Sequence, residues 1–203
     1  VPDVNTVEGG RDRALLETLY STGIRRSELC HLRISDIDAR GVVWVRAGKG
    51  QRDRVVPIGP RALAWVEKYR WELRPQLVGA DDDGTLFLTG YGEGYRQTHL
   101  GNVVKRYLKQ AGIEAVGSCH LFRHAMATHM LENGADIRFI QAMLGHRDLN
   151  TTEIYTRVSI EKLREIHAAT HPGRAARTEP ADEHAALANA LLAELDAEAR
   201  GED

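Results

Sequence analysis

One break in an otherwise helical pattern limits what this chain can fold into. The β-branched runs Gly41–Arg46 (GVVWVR) and Arg54–Ile58 (RVVPI) flank AGKGQRD, which predicts an antiparallel hairpin whose Gly-rich tip projects Lys49. Most of the rest reads as helix. Arg11–Tyr20 has apolar residues at helical spacing and ends at Ser21-Thr22-Gly23, and a short helix begins near Arg26. Pro60 suits the first turn of a helix running to about Leu73. After a loop over 75–84, TLFLT (85–89) predicts a short strand. Helices follow over 97–110, over 120–132 to the Asn133-Gly134 stop, over 136–144 to Gly145, and over 160–169. The expected class is α+β, mainly helical, with a small antiparallel sheet.

A chain of 203 residues, 42% hydrophobic and 28% charged, buries enough surface for one domain with an appendage. Cys30 and Cys119 lie in apolar patterns and no signal-like segment is visible, which predicts buried thiols and a reducing, cytoplasmic setting. No apolar run approaches the roughly 18 residues of a membrane span, so no membrane partner is expected. Residues 174–203 hold three Arg against eight Asp or Glu, and this acidic tail hides a mild basic excess in 1–173. Within it, Leu187, Leu191, Leu192 and Leu195 would form an apolar stripe on a helix over 181–199, suited to docking on a neighbouring protomer. An unstructured acidic tail fits the same composition equally well.

Five cationic or imidazole residues, Arg25, Lys49, His120, Arg123 and His146, precede Tyr155 in order. Attack on a phosphodiester adds negative charge to two non-bridging oxygens, and the planar arginine fork answers that need best. Arg25 and Arg123 would supply two forks, with Glu28 placed to orient Arg25. His120 and Arg123 are i, i+3 on one helix face. Lys49 on a projecting tip suits a proton donor to a leaving oxygen, and the tyrosine phenol needs such a cationic surrounding to become a nucleophile. Taken singly, each of these residues is more often structural. His120-x3-His124 lacks a third ligand, so no metal site is expected.

Together TGIRRSEL, GKGQRDR, HLFRHAMATH, IQAMLGH and TTEIYT, over about Arg11 to Pro172, resemble the tyrosine recombinase (phage integrase) family, most closely its Xer-like bacterial branch. The resemblance implies that Arg25 and Arg123 bind the phosphate, Lys49 is the hairpin acid, and His120 accepts the phenol proton. It further implies that His146 bonds the phosphate, Tyr155 is the nucleophile and Glu28 supports Arg25. The implied reaction is site-specific strand exchange on double-stranded DNA through a 3′-phosphotyrosyl bond, with no metal or other cofactor. It would run in a homo- or hetero-tetramer on DNA, from a chain that is monomeric when free, and serve chromosome resolution or mobile-element integration. On this view residues 1–173 are the catalytic domain and the family's N-terminal core-binding domain is absent. Two alternatives stay open, a type IB topoisomerase-like activity and a DNA-binding or assembly fragment without turnover.

Overall fold

The computed structural model describes residues 2–46, 53–114, 117–145, 160–172 and 185–202. Lys49, His146 and Tyr155 lie outside the described residues.

Helix α1 (Val7–Thr22) forms the axis of the core. The Thr6 hydroxyl caps its start by accepting from the Gly9 N–H at 3.0 Å. Gly23 ends it at φ 61°, donating its N–H to Leu19 O. The helix begins four residues before the expected Arg11. It is buried nearly all round, and the polar residues it buries are paired. Asp12 takes bonds from Arg11 at 2.8 Å and the Tyr107 hydroxyl at 2.7 Å, while Glu17 joins Arg13 and Arg61. These pairs fasten α1 to its neighbours at the places where an apolar stripe would otherwise be needed.

Helix α2 (Arg26–Cys30) follows, and then three antiparallel strands in the order β1 (Ile37–Asp38), β2 (Val42–Val45) and β3 (Arg54–Pro57). The predicted hairpin strands pair Val43 with Val56 and Val45 with Arg54. Val43, Val45 and Val56 face the core while Trp44 points outward, the alternation a one-sided sheet demands. The third strand, β1, carries no β-branched run and was not anticipated.

Helix α3 (Pro60–Lys68) continues through a wide π turn, Tyr69–Leu73. The strand expected over 85–89 does not form; that stretch makes only isolated bridges, Arg33 to Thr85 and Leu88 to Gly94. Side chains have taken part of its ladder groups, while the Leu86 and Thr89 N–H groups bond the carbonyls of Leu32 and Glu93. Arg74 donates to the carbonyls of Thr85 and Leu86, and the Tyr69 hydroxyl accepts the Leu88 N–H at 3.0 Å.

Helices α4 (Gln97–Gln110), α5 (Cys119–Glu132), α6 (Ile137–Leu144), α7 (Ile160–Thr170) and α8 (Ala185–Glu202) complete the described chain. Cys30 and Cys119 are buried thiols, not joined as a disulfide. The described part of the tail, 185–202, is helical, the first four residues of the expected 181–199 lying outside the described residues, and it packs on this chain's own α5 and α6. Leu191 and Leu195 are 1% and 3% exposed there, and Asp196 approaches His124 Nδ1 at 3.3 Å.

Candidate active site

The C-terminal end of α1 leaves main-chain carbonyls without helical partners, and distant segments supply them. Gly23 O accepts from Arg123 Nη1 at 2.7 Å, and the second Nη of the same guanidinium donates to Leu144 O at 2.9 Å. One arginine on α5 thus braces the ends of α1 and α6. Those ends lie two residues before Arg25 and two before His146. Arg123 is 2% exposed, and the negative ends of two helix dipoles favour its charge in that buried place. A guanidinium has five N–H donors, so bracing two carbonyls is compatible with further contact to an anion.

Glycines make these approaches possible. A Cβ on Gly23 would stand 2.1 Å from Met126 Cε of α5, and φ 61° is a conformation other residues rarely adopt. Gly117 lies so close under the His120 ring that a Cβ there would reach 2.1 Å from Cε1. His120 is half-buried, one turn before Arg123 on the same helix.

Arg25 caps the start of α2, and Glu28 reaches back to accept its N–H at 2.7 Å. The Arg25 side chain lies beside the same carboxylate, with Nη1 at 3.6 Å from Oε1. The nearer side-chain partner of Glu28 was not anticipated: Arg54, at the start of β3, grips both oxygens, Nη1 to Oε1 at 2.6 Å and Nη2 to Oε2 at 2.9 Å. Its Nε donates to Met143 O at 2.8 Å. Burial pushes the Glu28 carboxyl up. The Arg54 bonds and charge, followed by the Arg25 N–H and charge, outweigh burial and hold it below the ordinary carboxylate value.

Arg25, Glu28, Arg54, Arg123 and the end of α6 therefore meet in one cationic hub, with His120 one turn away along α5. Ordered motifs point to Arg25, Glu28, His120 and Arg123, whereas Arg54 reads only as a strand residue. No local signal marks it, because its partners lie 26 and 89 positions away along the chain.

A second cluster caps the same helix end without charge. His167 Nε2 lies 2.8 Å from Ser21 O and His171 Nε2 3.1 Å from Tyr20 O, so each ring donates, because a carbonyl can only accept. The two imidazoles stack at 4.5 Å between centroids, and the Tyr20 hydroxyl bonds His129 Nδ1 at 2.8 Å. Burial, and for His171 also the neighbouring His167, makes protonation harder, with His171 pushed down to about 3. Through this seam α7 is held against its own chain.

Among the described residues no three His, Cys, Asp or Glu side chains converge as a metal ion would require, and no helix is long and apolar enough to cross a membrane.

Comparison with known proteins places this geometry. The model of the phage integrase family matches residues 4–162. Tyrosine recombinase XerC 2 of Ralstonia nicotianae is 56% identical over 197 residues, covering 96% of this chain and 56% of the relative. Tyrosine recombinase XerD of the same organism is 44% identical over 172 residues, covering 84% and 56%. The chain spans little more than half the length of these curated relatives. The XerC 2 match leaves out fewer residues than the 30 of 174–203, so the similarity extends into the acidic tail. Among solved structures, the XerA recombinase superposes with TM-score 0.64 at 35% identity, over 78% of this chain and 57% of that one. The XerH recombinase bound to its difH substrate before cleavage gives TM-score 0.61 at 26% identity, over 77% and 45%.

Proposed function

The chain belongs to the phage integrase family, and on that premise we propose that it is the strand-cutting and rejoining part of a tyrosine site-specific DNA recombinase. The observation that carries this reading is the double brace by Arg123, which brings the segments leading to Arg25 and His146 to one place.

In the proposed reaction the Tyr155 oxygen attacks the scissile phosphorus in line with the departing 5′ oxygen. A phosphotyrosyl O–P bond forms at the 3′ end as the P–O5′ bond breaks. His120 takes the phenol proton and Lys49 supplies one to the leaving 5′ oxygen. Arg25, Arg123 and His146 stabilise the charge that grows on the non-bridging oxygens. The 5′-hydroxyl of a partner strand then reverses the step. Phosphodiester energy is kept in the covalent intermediate, so this scheme calls for neither nucleotide nor metal. The partners that fit are double-stranded DNA and further recombinase copies assembled as a homo- or hetero-tetramer, in a cytoplasmic setting.

The test uses nicked duplexes with a randomised core, incubated with the 203-residue chain and then denatured. DNA should stay bound to protein through a 3′ end, and Tyr155→Phe should abolish capture. Sequencing the captured ends would identify the preferred site. Capture that persists in Tyr155→Phe, or no capture by the unsubstituted chain, overturns the reading.

A further inference from the structure

We infer that Arg54 is a positioning residue for strand cleavage: it holds the Glu28 carboxylate so that this carboxylate orients Arg25 without closing on it. The inference rests on the recombinase reading above and adds a residue to it.

Glu28 faces two guanidinium groups, and the geometry divides them unequally. Arg54 forms a two-pronged pair at 2.6 and 2.9 Å, while the Arg25 side chain stands off at 3.6 Å and only its backbone N–H is within bonding distance. A buried carboxylate with one nearby cation pairs with it as fully as geometry allows, since an uncompensated charge is costly to bury. Glu28 and Arg54 side chains are only 6% and 12% exposed, so water cannot take over the balancing role. Remove Arg54, and the nearest remaining cation among the described residues is Arg25 at i−3. Its fork would turn onto Glu28 and away from a phosphate. Arg54 therefore supplies the charge that lets Glu28 steer Arg25 through the backbone contact.

The third bond of Arg54 extends this role. Its Nε holds Met143 O, and its side chain lies against Gly145, where a Cβ would come within 3.0 Å of Cδ. Gly145, at φ 71°, is the last residue before His146. One guanidinium thus fixes the carboxylate behind Arg25 and the helix end before His146. Lysine cannot replace it, because a compact ammonium lacks the planar fork that holds both carboxylate oxygens and the Met143 carbonyl together.

The experiment follows the single-turnover rate of covalent capture on the nicked duplex selected above, alongside DNA affinity by mobility shift. Arg54→Ala should slow capture about 10²-fold, the scale of a small misplacement of reacting groups, with DNA affinity changed less than about threefold, since phosphate contacts summed over the duplex dominate affinity. Arg54→Lys should be nearly as slow. Added guanidinium ion should speed Arg54→Ala at least about tenfold, because it restores both charge and fork; methylammonium should not. In a Glu28→Gln background, where the carboxylate charge is gone, Arg54→Ala should cost no more than about tenfold, the remainder belonging to its hold on Met143 O. Normal capture by Arg54→Lys overturns the inference, as does a rate loss that tracks only a lowered melting temperature with no guanidinium rescue. Failure of the unsubstituted chain to capture DNA would instead sink the recombinase reading.

Discussion

The last turn of α1 is finished twice, by opposite electrostatic means. At Gly23 the acceptor is met by a guanidinium that also holds Leu144, and a few residues back at Tyr20 and Ser21 the acceptors are met by two stacked imidazoles. Both arrangements satisfy carbonyls that a helix cannot satisfy itself. Only the first keeps a permanent charge beneath the surface, next to further charges on Arg25, Glu28 and Arg54. In the seam, burial disfavours charge on both histidines. Packing alone does not require the charged solution, since the neutral one docks α7 on the same helix. Charge is concentrated where a phosphate would need it and excluded where the task is docking.

The strongest way to break this contrast is to remove the charge from the hub. Arg123→Ala leaves Gly23 O and Leu144 O without their donor in the interior. Each orphaned group costs about 1–3 kcal/mol, so a loss of about 2–6 kcal/mol is expected in denaturant unfolding. Covalent DNA capture should be abolished as well. A role for Arg123 in phosphate binding alone predicts lost capture in an intact fold. The brace predicts both losses together. An Arg123→Ala chain with unchanged stability would show that the two carbonyls are met in another way.

Much of this was legible beforehand, for physical reasons that differ by residue. The hairpin and the helices with Gly stops were readable because local backbone preference and burial agree there, as at Gly23 and Gly145. Arg25, Glu28, His120 and Arg123 could be named from ordered motifs and residue chemistry. Arg54 could not, because its role depends on a contact to Glu28 spanning 26 positions and another to Met143 spanning 89. The lost strand at 85–89 has the same origin: Tyr69 and Arg74 use its main-chain groups, and neither competitor shows in the pattern of TLFLT itself. Likewise the leucine stripe of the tail could be read, but not that its own α5 would receive it.

A middle-sized effect should come from acid. Free histidine takes a proton at its ordinary 6.5, whereas His171 in the seam resists until about 3. Between those values the unfolded chain binds more protons than the folded one, so stability contributed by the buried neutral ring is complete above about pH 6.5 and declines as pH falls toward 3. Arg61 and His129 add to the resistance. Unfolding midpoints measured from pH 7.5 to 4.5 should therefore fall steadily, and hydrogen exchange in α7 should rise first. His171→Phe keeps a ring against Tyr20 but removes the titrating group, so it should start less stable and decline less steeply. Equal acid slopes in the two proteins would take the seam out of the pH response and weaken the contrast with the hub.

The smallest effect sharpens the comparison from the neutral side. Tyr20→Phe deletes one hydrogen bond, the 2.8 Å contact to His129 Nδ1, while the ring stays in edge contact with His171 at 4.8 Å. A neutral bond whose partner keeps its packing is worth about 0.5–1.5 kcal/mol, well below the loss expected at Arg123. The acid slope should not change, because the rings that resist protonation are untouched and Tyr20 still offers its main-chain carbonyl to His171. A cost near 3 kcal/mol, or a steeper slope, would mean that the tyrosine hydroxyl organises the whole seam. The seam would then be a polar network as demanding as the hub, and charge would no longer distinguish them.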